Sequence, residues 1–129
     1  GGERTAKEND MIKVNSENPN ALHATGYSVT YASGWTLSVQ WGHEGLYCGK
    51  NTVEVMVWRE DKDQSEANLW EDGVVGYVSV ESLAKLQYLL ADGSDDSIRQ
   101  ARNMDWIVVP YDLLRDRFLR FHFRKLLRH

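Results

Sequence analysis

Between residues 26 and 59, apolar and polar side chains alternate with the two-residue period of strands that bury one face. Tyr27, Val29 and Tyr31 alternate with Ser28 and Thr30, and Trp35, Leu37, Val39 and Trp41 alternate with Thr36, Ser38 and Gln40. The connection between these two runs follows from register. A two-residue turn at Ser33-Gly34 would pair Tyr31 with Thr36 and place the two apolar sets on opposite faces. A three-residue loop, Ala32-Ser33-Gly34, pairs Tyr31 with Trp35, Val29 with Leu37 and Tyr27 with Val39. That loop class ends on a residue of left-handed φ, where glycine is favoured, and Gly34 stands there. The pattern therefore predicts a hairpin with a G1 bulge and one continuous apolar face.

A third strand is expected at Thr52–Arg59, with Val53, Val55 and Val57 on one face and Glu54, Met56 and Trp58 on the other. Leu69-Trp70, a turn at Glu71-Asp72-Gly73 and Val74–Val78 supply further strand material, giving an antiparallel meander of about four strands. Met11–Val14 can add a short edge strand. Helical signals then take over. Ser79 is a suitable N-cap, Val80, Leu83, Leu86, Leu89 and Leu90 recur at helical spacing, and Gly93 lies just beyond, so a helix is expected over 80–91. It should cover the apolar sheet face. Ser94 can cap a second short helix whose first turn holds Asp95 and Asp96, where the helix dipole favours acids. Trp106–Val109 is a short extended run, and Pro110 suits the first turn of a last helix over 111–128.

That last helix is not simply amphipathic. Leu114, Phe118 and Phe121 share one face, Leu119, Phe123, Leu126 and Leu127 another, and Arg117, Arg120, Arg124 and Arg128 form a basic stripe between them. Two apolar faces must both be buried, inside the domain or against another chain. A homo-oligomer whose interface includes Phe118, Phe121 or Phe123 is expected. Residues 1–25 are rich in Asn, Glu and Lys and read as a mostly flexible arm; the opening Gly1-Gly2 reads as a cloning remnant. Residues 26–129 are expected to form one α+β domain.

Composition changes this picture in two ways. The 129 residues suffice for one domain, and a single cysteine, Cys48, excludes an intrachain disulfide and a four-cysteine zinc site. No apolar run approaches the roughly 20 residues that span a bilayer, and no signal-peptide core is seen, so a cytoplasmic setting is expected. The formal charge of −4 is unevenly placed: residues 110–129 carry six basic against two acidic side chains (+4), and residues 1–109 carry nine against seventeen (−8). The basic stripe can contact phosphates or neutralise an acidic patch of this or another subunit. The acidic pI of 5.5 and the lack of a helix-turn-helix, zinc-finger or RNA-recognition signature weigh against nucleic acid.

Candidate chemistry gathers in the Gly-rich stretch Gly42–Asn51, which is long for a hairpin loop and holds His43, Glu44, Tyr47 and Cys48. A Cys–His pair can activate a thiolate and a His/Cys/Glu set can hold a metal, but no second His or Cys follows at ligand spacing. The bland reading of Cys48 is a small buried hydrophobe. Asp61, Asp63, Ser65 and Asp72 mimic the oxygen spacing of a calcium loop, but its obligatory sixth-position glycine is Glu66 here and strands flank it. Glu71-Asp72 and Asp95-Asp96 read as turn and first-turn residues. Met56 and Trp58, opposite the valines, suggest either a second apolar layer, from the C-terminal helix or a partner, or a ligand- or protein-docking surface.

The stretch SGWTLSVQWGHEGLYCGKNTVEVMVW at residues 33–58 resembles small, uncharacterised open reading frames of bacteriophages. These share an N/S-G-aromatic-T-aliphatic-S-V-Q-aromatic-G strand, a Gly-rich loop ending in Tyr-Cys and a V-E-V strand ending in Trp. Here the three parts are Ser33–Gly42, Tyr47-Cys48 and Val53–Trp58; Val75–Ser79 is also similar, and the basic C-terminal helix is unmatched. The resemblance implies a phage or prophage context in a bacterial cytoplasm and carries no residue roles. The leading expectation is a non-enzymatic interaction protein, a phage accessory factor binding another protein. A nucleic-acid-associated protein using Arg117, Arg120, Arg124 and Arg128 comes second. A small-ligand binder or enzyme using His43, Tyr47 and Cys48 comes third. No cofactor, metal or membrane association is expected.

Overall fold

The computed structural model describes residues 11–14, 25–60, 66–71 and 73–114. Strands β1 (Met11–Val14), β2 (Thr25–Thr30), β3 (Trp35–Trp41), β4 (Val53–Glu60), β5 (Glu66–Asn68) and β6 (Gly73–Val78) precede helices α1 (Val80–Asp92) and α2 (Asp95–Arg102), and β7 (Ile107–Pro110) follows. The strands form one sheet in the order β1-β2-β3-β4-β6-β7, with β5 also on β4. Every pairing is antiparallel. This is the expected α+β architecture, and the four-strand meander is the centre of a larger sheet.

The β2–β3 register is the one the alternation predicts. Val29 pairs with Leu37 and Tyr27 with Val39. Gly34 N–H donates to the Tyr31 carbonyl and Tyr31 N–H to the Trp35 carbonyl, both at 2.9 Å. Gly34 has φ +98°, so the turn closes as a G1 bulge. Met11–Val14 pairs with β2 through Ile12↔Val29 and Val14↔Tyr27, as an edge strand.

One long edge of β4 takes two successive strands. Its end pairs with β5 (Trp58↔Asn68) and its beginning with β6 (Val55↔Val75, Val53↔Val78). Between them the chain turns, with Gly73 N–H bonded to the Trp70 carbonyl at 3.3 Å. Leu69 and Trp70 are buried there. Trp106 meets Trp70 edge-to-face at 5.4 Å and donates through Nε1 to the Ala101 carbonyl (2.7 Å), while Arg102 Nε donates to the Leu69 carbonyl (3.2 Å). The interruption is thus held from the helical layer. The order of β6 and β7 required that layer too: the two helices carry the chain back so that Val109 lies beside Val74.

Both helices form where their caps predict. Ser79 accepts from Ser82 N–H to start α1, and Gly93, at φ +69°, ends it with its N–H on the Leu89 carbonyl. Ser94 caps α2 by accepting from Ser97 N–H. Leu86, Leu89 and Leu90 of α1 and Ile98 and Ala101 of α2 bury against Leu37, Val39, Val55, Val57 and Val75 of the sheet. Val80, first in the helical apolar series, instead stands exposed. Where the β2–β3 turn meets the end of α1, Ser33 Oγ donates to the Leu90 carbonyl at 2.7 Å, and any Cβ at position 93 would lie 2.3 Å from the Ser33 Cβ.

The α1–α2 junction also carries a titrating cap. Asp92 accepts from Ser97 Oγ (2.6 Å) and Ser94 Oγ (2.7 Å). These bonds hold its carboxyl below the usual carboxylate range. A carboxylate with a depressed folded pKa stabilises the protein above its ordinary pKa of about 3.9, and that stabilisation fades as pH falls through the lower folded value. Asp92→Asn is therefore expected to lose stability less steeply than wild type as pH falls below about 4 in urea unfolding. Parallel pH profiles would contradict the assignment.

Candidate functional site

The loop with the catalytic residue types begins at Gly42, immediately after β3, and ends as Gly49 N–H donates to Thr52 Oγ1 at 2.6 Å. Inside it, His43 caps its own turn. Its Nδ1 accepts from Gly45 N–H at 2.9 Å and its carbonyl from Leu46 N–H at 3.0 Å. An accepting Nδ1 leaves the ring proton on Nε2 in the neutral imidazole. Leu46 is buried, which draws the middle of the loop onto the protein.

Tyr47 fixes the loop to the sheet. β6 has two residues, Gly76 and Tyr77, between the partners of Val53 and Val55, where β4 has only Glu54. This bulge turns Tyr77 to φ +54°, an uncommon conformation for an aromatic residue, and sends its N–H to the Tyr47 carbonyl at 2.9 Å. Gly76 permits the approach: a Cβ there would lie 2.7 Å from the Tyr47 Cβ. Tyr47 then packs, with Met56 and Tyr111, on a second apolar cluster of Val74, Val109 and Leu114. The second layer expected from Met56 thus exists on this face, built from the loop and the chain after β7. Trp58 is half-buried on β4 and is not part of that cluster.

His43 is thus held in its own turn, and Tyr47 on the sheet and the second cluster. Cys48 is a free, half-buried thiol. Among the described residues no three His, Cys, Asp or Glu side chains gather to hold a metal ion. Asp61, Asp63, Ser65 and Asp72 of the calcium-like spacing lie outside the described residues, as do Arg117, Arg120, Arg124 and Arg128 and the rings Phe118, Phe121 and Phe123. Of the helix expected over 111–128, residues 111–114 are described and are helical, with Leu114 buried.

Two buried polar features escaped the sequence reading. Glu54, only 5% exposed, lies opposite Gln40 on the face of β4 away from the valines. Alternation identifies that face but not the layer that covers it. Near the β5–β6 turn, Asn68 Nδ2 donates to the Tyr111 hydroxyl at 2.8 Å, while Asn68 Oδ1 and Trp70 Nε1 are buried with no hydrogen-bond partner. The nearest sequence signal was the Leu69-Trp70 pair beside an acidic turn, which says nothing of Tyr111, 43 residues on.

No helix among the described residues is long and apolar enough to cross a membrane. Comparison of the chain with protein families, curated proteins and solved structures finds no match.

The geometry makes Gly76 the seat of the loop. Gly76→Ala is expected to cost about 1–3 kcal/mol in urea unfolding, the range for overpacking a well-filled site. It should also speed the reaction of the neighbouring Cys48 thiol with an aromatic disulfide reagent. His43→Ala should leave that rate closer to wild type. An unchanged Cys48 rate in folded Gly76→Ala would show that Tyr47 is not held by Gly76.

Proposed function

We propose that this protein is a non-enzymatic interaction module, an accessory factor of a bacteriophage or prophage that binds another protein in the bacterial cytoplasm. The observation that carries the reading is the distribution of large exposed apolar side chains. Ile12, 71% exposed, and Val14 stand on β1, and Ile107, 57% exposed, and Val108 stand on β7. Among the described residues these are the first and last strands of the sheet, where a strand has backbone groups to offer an incoming chain. Strand addition uses those groups for affinity and the alternate side chains for specificity. The engagement of His43 and Tyr47 within the scaffold favours this reading over a catalytic loop. The resemblance of residues 33–58 to phage reading frames supports the context.

Residues 110–129, with six basic against two acidic side chains, favour a nucleic-acid partner as the second reading. It predicts retention on heparin that falls with salt.

The test is capture from a host bacterial lysate by the immobilised full chain, with bound proteins identified by mass spectrometry. Wild type, His43→Ala and Cys48→Ser should capture the same protein, and Ile107→Asp and Val108→Asp, checked for folding by circular dichroism, should lose it. Capture that depends on His43 or Cys48 and ignores the edge strands would overturn the reading.

A further inference from the structure

We infer that the outer face of α1 pairs with the same face of a second copy of this chain, the two helices running antiparallel across Ala84. The inference extends the interaction reading above, and rests on it only in treating exposed apolar side chains as docking surface. Leu86, Leu89 and Leu90 turn toward the sheet, and the opposite face carries Val80 and Tyr88, each 73% exposed, with Ala84 and Ala91 also exposed. At 3.6 residues per turn these four side chains fall within an arc of about 80°. The small Ala84 lies midway between the two large groups, so a second helix can approach closely at that point.

The stripe is complementary to itself when reversed. An antiparallel neighbour centred on Ala84 places Val80 against Tyr88 of the second copy and Tyr88 against Val80 of that copy, around facing alanines. Charge selects the same arrangement. Glu81 and Lys85, both exposed, border the stripe on one side, four residues apart, and no ion pair joins them within the chain. The two-fold axis that faces Ala84 with Ala84 brings Glu81 beside Lys85 of the second copy, and Lys85 beside Glu81, giving two ion pairs. A parallel two-fold neighbour would carry Glu81 and Lys85 of the second copy to the opposite side of the interface, and neither ion pair would form. Self-complementarity of this kind is what an isologous two-fold interface requires. One helix face is smaller than a standard interface, which places the dimer in the weak, transient class.

Sedimentation equilibrium of the purified full chain at low salt, from about 10 μM to about 1 mM, reads the dimer directly. Wild type should shift from monomer to dimer across that range. Ala84→Glu, at an exposed position, should remain folded and stay monomeric. Glu81→Lys and Lys85→Glu, each facing like charges across the axis, should each weaken the dimer about tenfold. The combined Glu81→Lys/Lys85→Glu chain should recover the wild-type constant. A monomer at every concentration, or a dimer indifferent to Ala84→Glu and to both charge reversals, overturns the inference. Because this experiment uses the purified chain alone, a monomer that still captures another protein leaves the function proposed above intact. A dimer that captures nothing overturns that proposal and supports this one.

Discussion

The three-residue turn at Ala32–Gly34 is the constraint on which the rest of the fold depends. Gly34 at φ +98° closes it as a G1 bulge, and the bulge sets the phase of β3 against β2. With that phase, Trp35, Leu37 and Val39 join Tyr27 and Val29 on one face, and β4 adds Val55 and Val57. A shift of one residue would turn β3 over and expose half of this surface. The same turn seats the helical layer. Ser33 donates to the carbonyl of Leu90, and Gly93 ends α1 in a conformation and at a distance that a side chain would disturb. Sheet register and helix position therefore meet at one junction, over the core that Leu86 and Leu90 complete.

On the other face the same economy applies to the loop after β3. A bulge in β6 presents Gly76 and the Tyr77 N–H, and Tyr47 lies down on them to close a second, smaller cluster with Val74, Val109 and Leu114. His43 holds its own turn and Tyr47 holds the loop to the sheet. Among the described residues, most of the large apolar side chains left exposed stand on the two edge strands and on one stripe of α1. That distribution is the physical basis for reading the protein as a binding module.

The features legible in the sequence were local ones. The β2–β3 turn, the Ser79 and Ser94 caps and the Gly93 stop each need only neighbouring residues to specify them, and each is where the pattern placed it. A second layer over β4 was legible from Met56, but the burial of Glu54 on that side was not, because alternation tells which residues share a face and not which of them will be covered. Val80 was likewise counted with the core, although at 100° per residue it falls on the side of α1 turned away from Leu86 and Leu89. Pairing of β6 with β7 depends on the path of the two intervening helices, and docking of Tyr47 depends on a bulge some 30 residues later. Proximity in sequence could not reveal that His43 bonds within its own turn or that Tyr47 packs on the cluster of Val74, Val109 and Leu114.

The most direct test of the turn–helix junction is a double-mutant cycle in urea unfolding between Ser33→Gly and Gly93→Ala. In the wild-type background Gly93→Ala introduces a Cβ 2.3 Å from the Ser33 Cβ as well as left-handed strain. Ser33→Gly removes the atom it strikes. The account predicts that Gly93→Ala costs at least about 1 kcal/mol less in the Ser33→Gly background than in wild type. Strictly additive effects would contradict it, because the turn and the end of α1 would then not be in contact.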